Sequence, residues 1–236
     1  MSNSSFRFKQ FTVYQDRCAM KVGTDGTLLG AWARVGKRIL DIGTGTGLIA
    51  MMMAQRCPES CVTAVEIDEA AYGQAKLNLQ NSPFAKRVDI VNVSIQEFSA
   101  KFAGEKYDSI VCNPPFFVNS LGCPDAQRHI ARHTSSLPFG ELFKAVGSLI
   151  TRDGFFAVVI PADIQLQFDA EARLSGFSCV RKCLVRTVER KTPKRVLLEY
   201  SLLGTVGFQT EEHCLTDASG KRSDWYENMT SEFYIR

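Results

Sequence analysis

The sequence predicts an α/β fold: a doubly wound, mostly parallel sheet of seven strands with a terminal antiparallel hairpin. Three observations predict it. Short apolar runs alternate with helix-patterned segments between residues 38 and 176, which is the pattern of a parallel sheet covered on both faces. Three alternating glycines, Gly43, Gly45 and Gly47, separate the first run from the first helix. Two β-rich runs then follow one another with only ERKTP between them, so they pair as a hairpin.

In chain order, RILDI (38–42) reads as the first strand and LIAMMMAQRC (48–57) as a helix. CVTAVEID (61–68) is the second strand, and EAAYGQAKLNLQ (69–80) is a helix with Asp68 or Glu69 at its start. RVDIVNV (87–93) and YDSIVCN (107–113) are the third and fourth strands. A helix over 137–150 leads through an Asp-Gly turn to DGFFAVVIP (153–161), the fifth. Residues 162–176 form a helix with Gly176 just beyond its end. FSCVRKCLVRTV (177–188) and KRVLLEYSLLG (194–204) are the hairpin strands. Residues 205–236 are polar and irregular, with SDWYENMTSEFYI as a final helix.

Length and composition fit this architecture. A chain of 236 residues with 45% apolar content supports one domain over 1–236, with an N-terminal arm (1–35) and a C-terminal extension (205–236). No window holds 18 uninterrupted apolar residues, and MSNSSFRFKQF lacks the apolar core of a signal peptide. A cytoplasmic protein without a membrane span is expected. The eight cysteines form no CxxC pair and read as reduced, buried thiols. His129 and His133 stand four apart in HIARH with no obvious third ligand, so no metal is expected. The net charge is only +3, but Arg181–Arg195 holds seven basic residues and one acid, and the first 21 residues are also basic. Such local charge attracts phosphates, or else it is balanced by acids from elsewhere in the chain.

The glycine segment carries the first functional signal. Glycines between a strand and a helix let the backbone turn sharply and approach a ligand at the positive helix end. Glu66, near the end of the next strand, is placed to accept hydrogen bonds from ribose hydroxyls. Gly45-x-Gly47-x-x-Ala50 fits the loose dinucleotide fingerprint and hence NAD. Asp41-Ile42-Gly43-Thr44-Gly45-Thr46-Gly47 fits D/E-x-G-x-G-x-G, the form favoured by S-adenosylmethionine-dependent methyltransferases, with Asp41 near the methionine end of the cofactor.

Asn113-Pro114-Pro115-Phe116 ends the fourth strand, on the carboxyl edge where doubly wound folds bind ligands. An amine conjugated to a ring is a poor nucleophile. A site that accepts both of its hydrogens favours a pyramidal nitrogen. Asn113 Oδ1 and the Pro114 carbonyl are two acceptors, neither proline donates an N–H, and Phe116 offers a face for a planar base. Transfer then rests on positioning.

Together these motifs resemble the class I amino-methyltransferases, which have a Rossmann-like fold and act on adenine, cytosine or glutamine amide nitrogens. KQFTVYQDRCAMKVGTDGTLLGAWA (9–33), LDIGTGTGL, NPPF, DGFFAVVIP and PKRVLLEYS resemble, over nearly the whole chain, the bacterial family that makes N6-methyladenosine at position 37 of valine tRNA 1. That resemblance implies S-adenosylmethionine as cofactor, the anticodon loop of tRNA as substrate, and closure over the cofactor by Lys21, Thr24 and Gly26. Many relatives carry an Asp after the third strand where this chain has Ser94. Ser94 and the backbone of Ile95 are the expected contacts to the cofactor's adenine. Arg7, Lys9, Arg128, Arg132, Lys191, Lys194 and Arg195 are the candidate phosphate ligands.

Other substrates stay open: DNA or ribosomal RNA adenine, or a glutamine amide. Only about 35 residues precede the first strand, too few for the helical N-terminal domain usual in glutamine enzymes. An NAD-dependent oxidoreductase leaves NPPF unexplained, and a non-catalytic RNA-binding module needs neither motif.

Overall fold

The computed structural model describes residues 4–18, 20–114, 137–202 and 207–235. A short hairpin of β1 (Ser5–Arg7) and β2 (Thr12–Tyr14) precedes helix α1 (Thr24–Trp32). The alternating unit follows: β3 (Arg38–Ile42), α2 (Leu48–Arg56), β4 (Cys61–Glu66), α3 (Glu69–Gln80), β5 (Val88–Asn92), α4 (Ile95–Lys101), β6 (Tyr107–Cys112), α5 (Phe139–Leu149), β7 (Ile150–Pro161) and α6 (Gln165–Leu174). The hairpin strands are β8 (Ser178–Arg186) and β9 (Arg195–Ser201); β10 (Gln209–Cys214) and α7 (Asp224–Thr230) complete the order.

The main sheet runs β10-β8-β9-β7-β6-β3-β4-β5. Its seven expected strands are present, and β9 is antiparallel to both β7 and β8. An eighth strand, β10, adds itself parallel to β8. Its sequence, QTEEHC, is polar because it lies at the sheet margin with little buried surface.

Side chains alternate across each strand, so neighbours enter opposite layers. Ile39, Val62 and Val111 pack under α1 and α2, whereas Leu40, Val65 and Ile110 pack under α4, α5 and α6. Phe143 centres the second layer, with ring centroids 4.9 Å from Phe168, 5.3 Å from Phe177, 5.4 Å from Tyr200 and 5.5 Å from Phe156.

Two further elements differ from expectation, besides β10 and the β1–β2 hairpin. Asp153-Gly154 is not a turn before a strand; β7 runs through it, with a register shift against β6 between the Tyr107–Ile150 and Ser109–Phe155 pairs. Helix α4, unforeseen, begins with a capping box between Ser94 and Glu97. No helix among the described residues is long and apolar enough to cross a membrane.

Phe143 is fully buried, so Phe143→Ala is expected to cost about 3–5 kcal/mol of stability. Urea unfolding followed by circular dichroism measures it.

Candidate active site

Three strand ends meet where the strand order reverses. Ile42 pairs with Val65 on one side and with Cys112 on the other. Gly43, Glu66 and Asn113 therefore stand abreast, each one residue beyond its paired position. This switch point on the carboxyl edge is where doubly wound sheets form a ligand crevice.

Gly43, Gly45 and Gly47 have φ of +67°, +57° and +81°, a region that costs other residues about 1–2 kcal/mol each. A methyl group built on Gly43 or Gly45 meets no heavy atom within 4 Å, whereas one on Gly47 contacts Leu79 and Ala75. The first two glycines thus face an open cradle, and the third packs against α3.

Two carboxylates fix the loop. Asp41 is fully buried; its Oδ2 accepts from the Thr44 hydroxyl at 2.6 Å and from the Ala50 N–H at 3.0 Å. Its Oδ1 is buried without a hydrogen-bond partner among the described residues. Burial pushes the Asp41 pKa up to about 7, against the opposing pull of Thr44 and Ala50. Glu66, 7% exposed, accepts from the Gly45 N–H at 2.8 Å through Oε2 and from the Asp68 N–H at 2.9 Å through Oε1. Each oxygen keeps a lone pair for a further donor. Ile67, which sequence reasoning passed over, is 64% exposed on this edge. Asn92 Nδ2 holds the carbonyls of Glu66 and Ile67, at 2.8 and 3.2 Å. The only sequence signal for Ile67 was its place between two acids.

Asn113 is half-buried, and its Oδ1 is shielded with no hydrogen-bond partner among the described residues. Pro114 is buried. Pro115, Phe116, Arg128, Arg132, His129 and His133 lie outside the described residues.

Ser94 is committed to its helix. Its hydroxyl donates to Glu97 Oε2 at 2.8 Å and accepts from the Glu97 N–H at 3.1 Å. One acceptor lone pair remains on it, so its hydroxyl proton is not available to a ligand. Ile95 opens α4, where backbone N–H groups have no partner inside the helix.

The N-terminal arm passes the same edge. Burial, then the charges of Glu66, Asp68 and Asp16, push the Cys18 thiol up to about 11. Lys21 is exposed. Gly26 faces Leu48 at the start of α2. Thr24, two residues earlier, is exposed and points about 200° away around the helix.

The basic run divides. Arg195 binds Asp25 at 2.7 Å, Arg181 lies 3.6 Å from Glu211, and Arg186 pairs with Glu212. Arg190, Lys191 and Lys194 are exposed. They occupy the β8–β9 loop, which meets the carboxyl end of β7 where Pro161 pairs with Arg195 and Ala162 N–H donates to the Lys194 carbonyl at 3.1 Å. The structure does not bring Lys9 to the site. Its ammonium donates to the Ser231 carbonyl at 2.7 Å, next to Glu232, which binds Gln55 near the far end of α2 from the glycine loop. Arg7 lies on the same terminal hairpin, paired with Thr12.

One group among the described residues has the proximity of metal ligands: Cys183, Glu211 and His213. Glu211 already accepts from Trp32 Nε1 at 2.8 Å, and Arg181 supplies the cation there.

Comparison with known proteins gives the family. Residues 23–160 match the methyltransferase small domain. The chain is 46% identical to the tRNA1(Val) (adenine(37)-N6)-methyltransferase of Bacteroides thetaiotaomicron, over 100% of this chain and 99% of that protein. It belongs to the tRNA1(Val) (adenine(37)-N6)-methyltransferase family. Another family member, from Bacteroides fragilis, is 48% identical over 100% of both chains. Among solved structures, a predicted O-methyltransferase from Agrobacterium tumefaciens has a TM-score of 0.70 at 15% identity, covering 89% of this chain and 96% of its own. The glycopeptide N-methyltransferase MtfA, complexed with S-adenosylmethionine, has a TM-score of 0.54 at 14% identity, covering 77% and 100%. At these identities the likeness is one of fold.

Two outcomes follow from this geometry. Because Asp41 binds its proton more tightly folded than unfolded, its contribution to stability falls as pH rises from about 4 to about 7 and is level above. Asp41→Asn is expected to flatten that part of the profile in urea titrations from pH 4 to 8. Ser94→Ala, which removes the cap of α4, is expected to cost about 1 kcal/mol while leaving cofactor affinity nearly unchanged by calorimetry.

Proposed function

We propose that this chain transfers a methyl group from S-adenosylmethionine to N6 of adenine 37 in the anticodon loop of valine tRNA 1, in the cytoplasm and without a metal. The observation that carries the reading is the shielded Asn113 Oδ1, unpaired among the described residues, abreast of an open glycine cradle. A buried acceptor left unmatched costs about 1–3 kcal/mol, and an amine hydrogen from the substrate relieves it.

The residues present fit the cofactor. Gly43, Gly45 and Gly47 leave backbone room beside it, and Asp41 holds that loop in shape without touching it. The spare lone pairs of Glu66 accept ribose hydroxyls. Ile67 supplies apolar surface for the adenine ring, and the first N–H groups of α4, at Ile95, supply donors. Lys21 and Gly26 close the side toward α1. When bound, the cofactor supplies an electrophilic sulfonium methyl.

The chain's own work is positioning. Asn113 Oδ1 accepts one hydrogen of the adenine amine and the Pro114 carbonyl the other, which withdraws the nitrogen lone pair from ring conjugation. By the sequence motif, Pro115 brings no competing N–H and Phe116 brings an aromatic face for the base. A target in a single-stranded loop is splayed out at low unstacking cost. Arg190, Lys191 and Lys194, with Arg128 and Arg132, receive the flanking phosphates. Arg195 instead positions the hairpin through Asp25.

Incubation with methyl-labelled cofactor and unmodified tRNA, followed by nucleoside analysis, is expected to yield labelled N6-methyladenosine. Asn113→Ala is expected to abolish the label with cofactor affinity retained. Label appearing in protein or DNA instead overturns the substrate. The triple change of Arg190, Lys191 and Lys194 to Ala is expected to weaken tRNA binding and to flatten its log–log salt slope by roughly two. An unchanged filter-binding titration removes these residues from the interface.

A further inference from the structure

We propose that Asn78 is a positioning residue that makes occupation of the glycine loop and placement of the N-terminal arm a single event. The inference rests on the reading that the loop holds S-adenosylmethionine.

Asn78 is 1% exposed on α3, and its amide makes three hydrogen bonds. Nδ2 donates to the Thr46 carbonyl at 2.9 Å and to the Tyr14 carbonyl at 2.8 Å. Oδ1 accepts from the Tyr14 N–H at 2.9 Å. The side chain therefore grips Tyr14 by both backbone groups, as a strand neighbour would, and with its second amide hydrogen holds the loop between Gly45 and Gly47.

The rest of the arm is laced to the same helix. Gln74, one turn before Asn78, accepts from the Arg17 N–H at 3.1 Å, and Gln15 accepts from the Val22 N–H at 2.8 Å. Among the described residues Gln74 hydrogen-bonds the arm, at Arg17, whereas Asn78 hydrogen-bonds arm and loop together. A buried polar group with all its partners specifies one arrangement, and losing one partner leaves the others unsatisfied. No atom stands where a Cβ on Gly43 or Gly45 would lie, so a ligand reaches the loop backbone directly and its contacts are passed on through the Thr46 carbonyl. A ligand that steadies Thr46 thus steadies Tyr14, and by reciprocity the placed arm returns the same free energy to the ligand.

Hydrogen exchange of the wild-type protein, with and without S-adenosylhomocysteine, tests this. Bound ligand is expected to slow exchange at Tyr14 and Arg17 as well as at Gly45. Asn78→Ala is expected to weaken ligand binding by a factor within about 5- to 150-fold. At saturation it is expected to leave Gly45 protected while Tyr14 and Arg17 exchange fast. Gln74→Ala is expected to free Arg17 but to keep the ligand effect at Tyr14. Arm exchange in the wild type that ignores bound ligand overturns the proposal, and this needs no variant to fold. Wild-type affinity and arm protection in Asn78→Ala overturn it as well. Failure of the wild type to bind the ligand at all strikes the cofactor reading instead.

Discussion

The site depends on one buried carboxylate. Asp41, the last residue but one of its strand, lies beneath three left-handed glycines, and its Oδ2 ties the Thr44 hydroxyl to the Ala50 N–H. One oxygen atom thus joins the strand, the loop and the first turn of α2. Burying such a group is costly unless it is hydrogen-bonded or protonated. Asp41 uses hydrogen bonds at one oxygen and a raised affinity for protons at the other. The Gly45–Glu66 bond then aligns the loop with the neighbouring strand, and the cradle is shaped before any ligand arrives. Preorganisation of that kind suits a reaction in which geometry, rather than a strong base, does the catalysis.

Much of this was legible in the sequence, for physical reasons. Buried parallel strands read as continuous apolar runs, and RILDI, CVTAVE and YDSIVC are such runs. Left-handed backbone needs glycine, so Gly43, Gly45 and Gly47 announced the loop. Other features left no such trace. QTEEHC has neither an apolar run nor a period, because β10 lies at the margin of the sheet with its side chains exposed or half-buried. Asp153-Gly154 reads as a turn, yet a side chain at Gly154 would collide with Ile150, Thr151 and the Asp108 carbonyl; the glycine serves close approach between strands. Ser94-x-x-Glu97 was a readable capping box, missed because Ser94 was weighed as a cofactor contact.

Charge was the least legible property. The run from Arg181 to Arg195 looks uniformly basic, but which cations stay unpaired is decided by acids far away in sequence: Asp25 for Arg195, Glu211 for Arg181, Glu212 for Arg186. Only the fold shows that the exposed members gather in one loop on the ligand-bearing edge. The same holds for Asn78, an unremarked residue in a helix whose partners lie 32 and 64 positions away.

The two ends of the chain seal against each other. Phe8 stacks on Tyr234 with centroids 5.7 Å apart, and Lys9 reaches Ser231 across 222 positions. Joining such distant segments in an unfolded coil costs loop-closure entropy that grows only logarithmically with length, but none of it is recovered until the intervening sheet exists. This seam therefore has the highest sequence separation in the molecule's folding problem, and contacts of that kind form late. The hairpin that carries the arm is then among the last parts to be set. On that ground a newly made chain is expected to acquire its sheet and its glycine loop before its finished entrance.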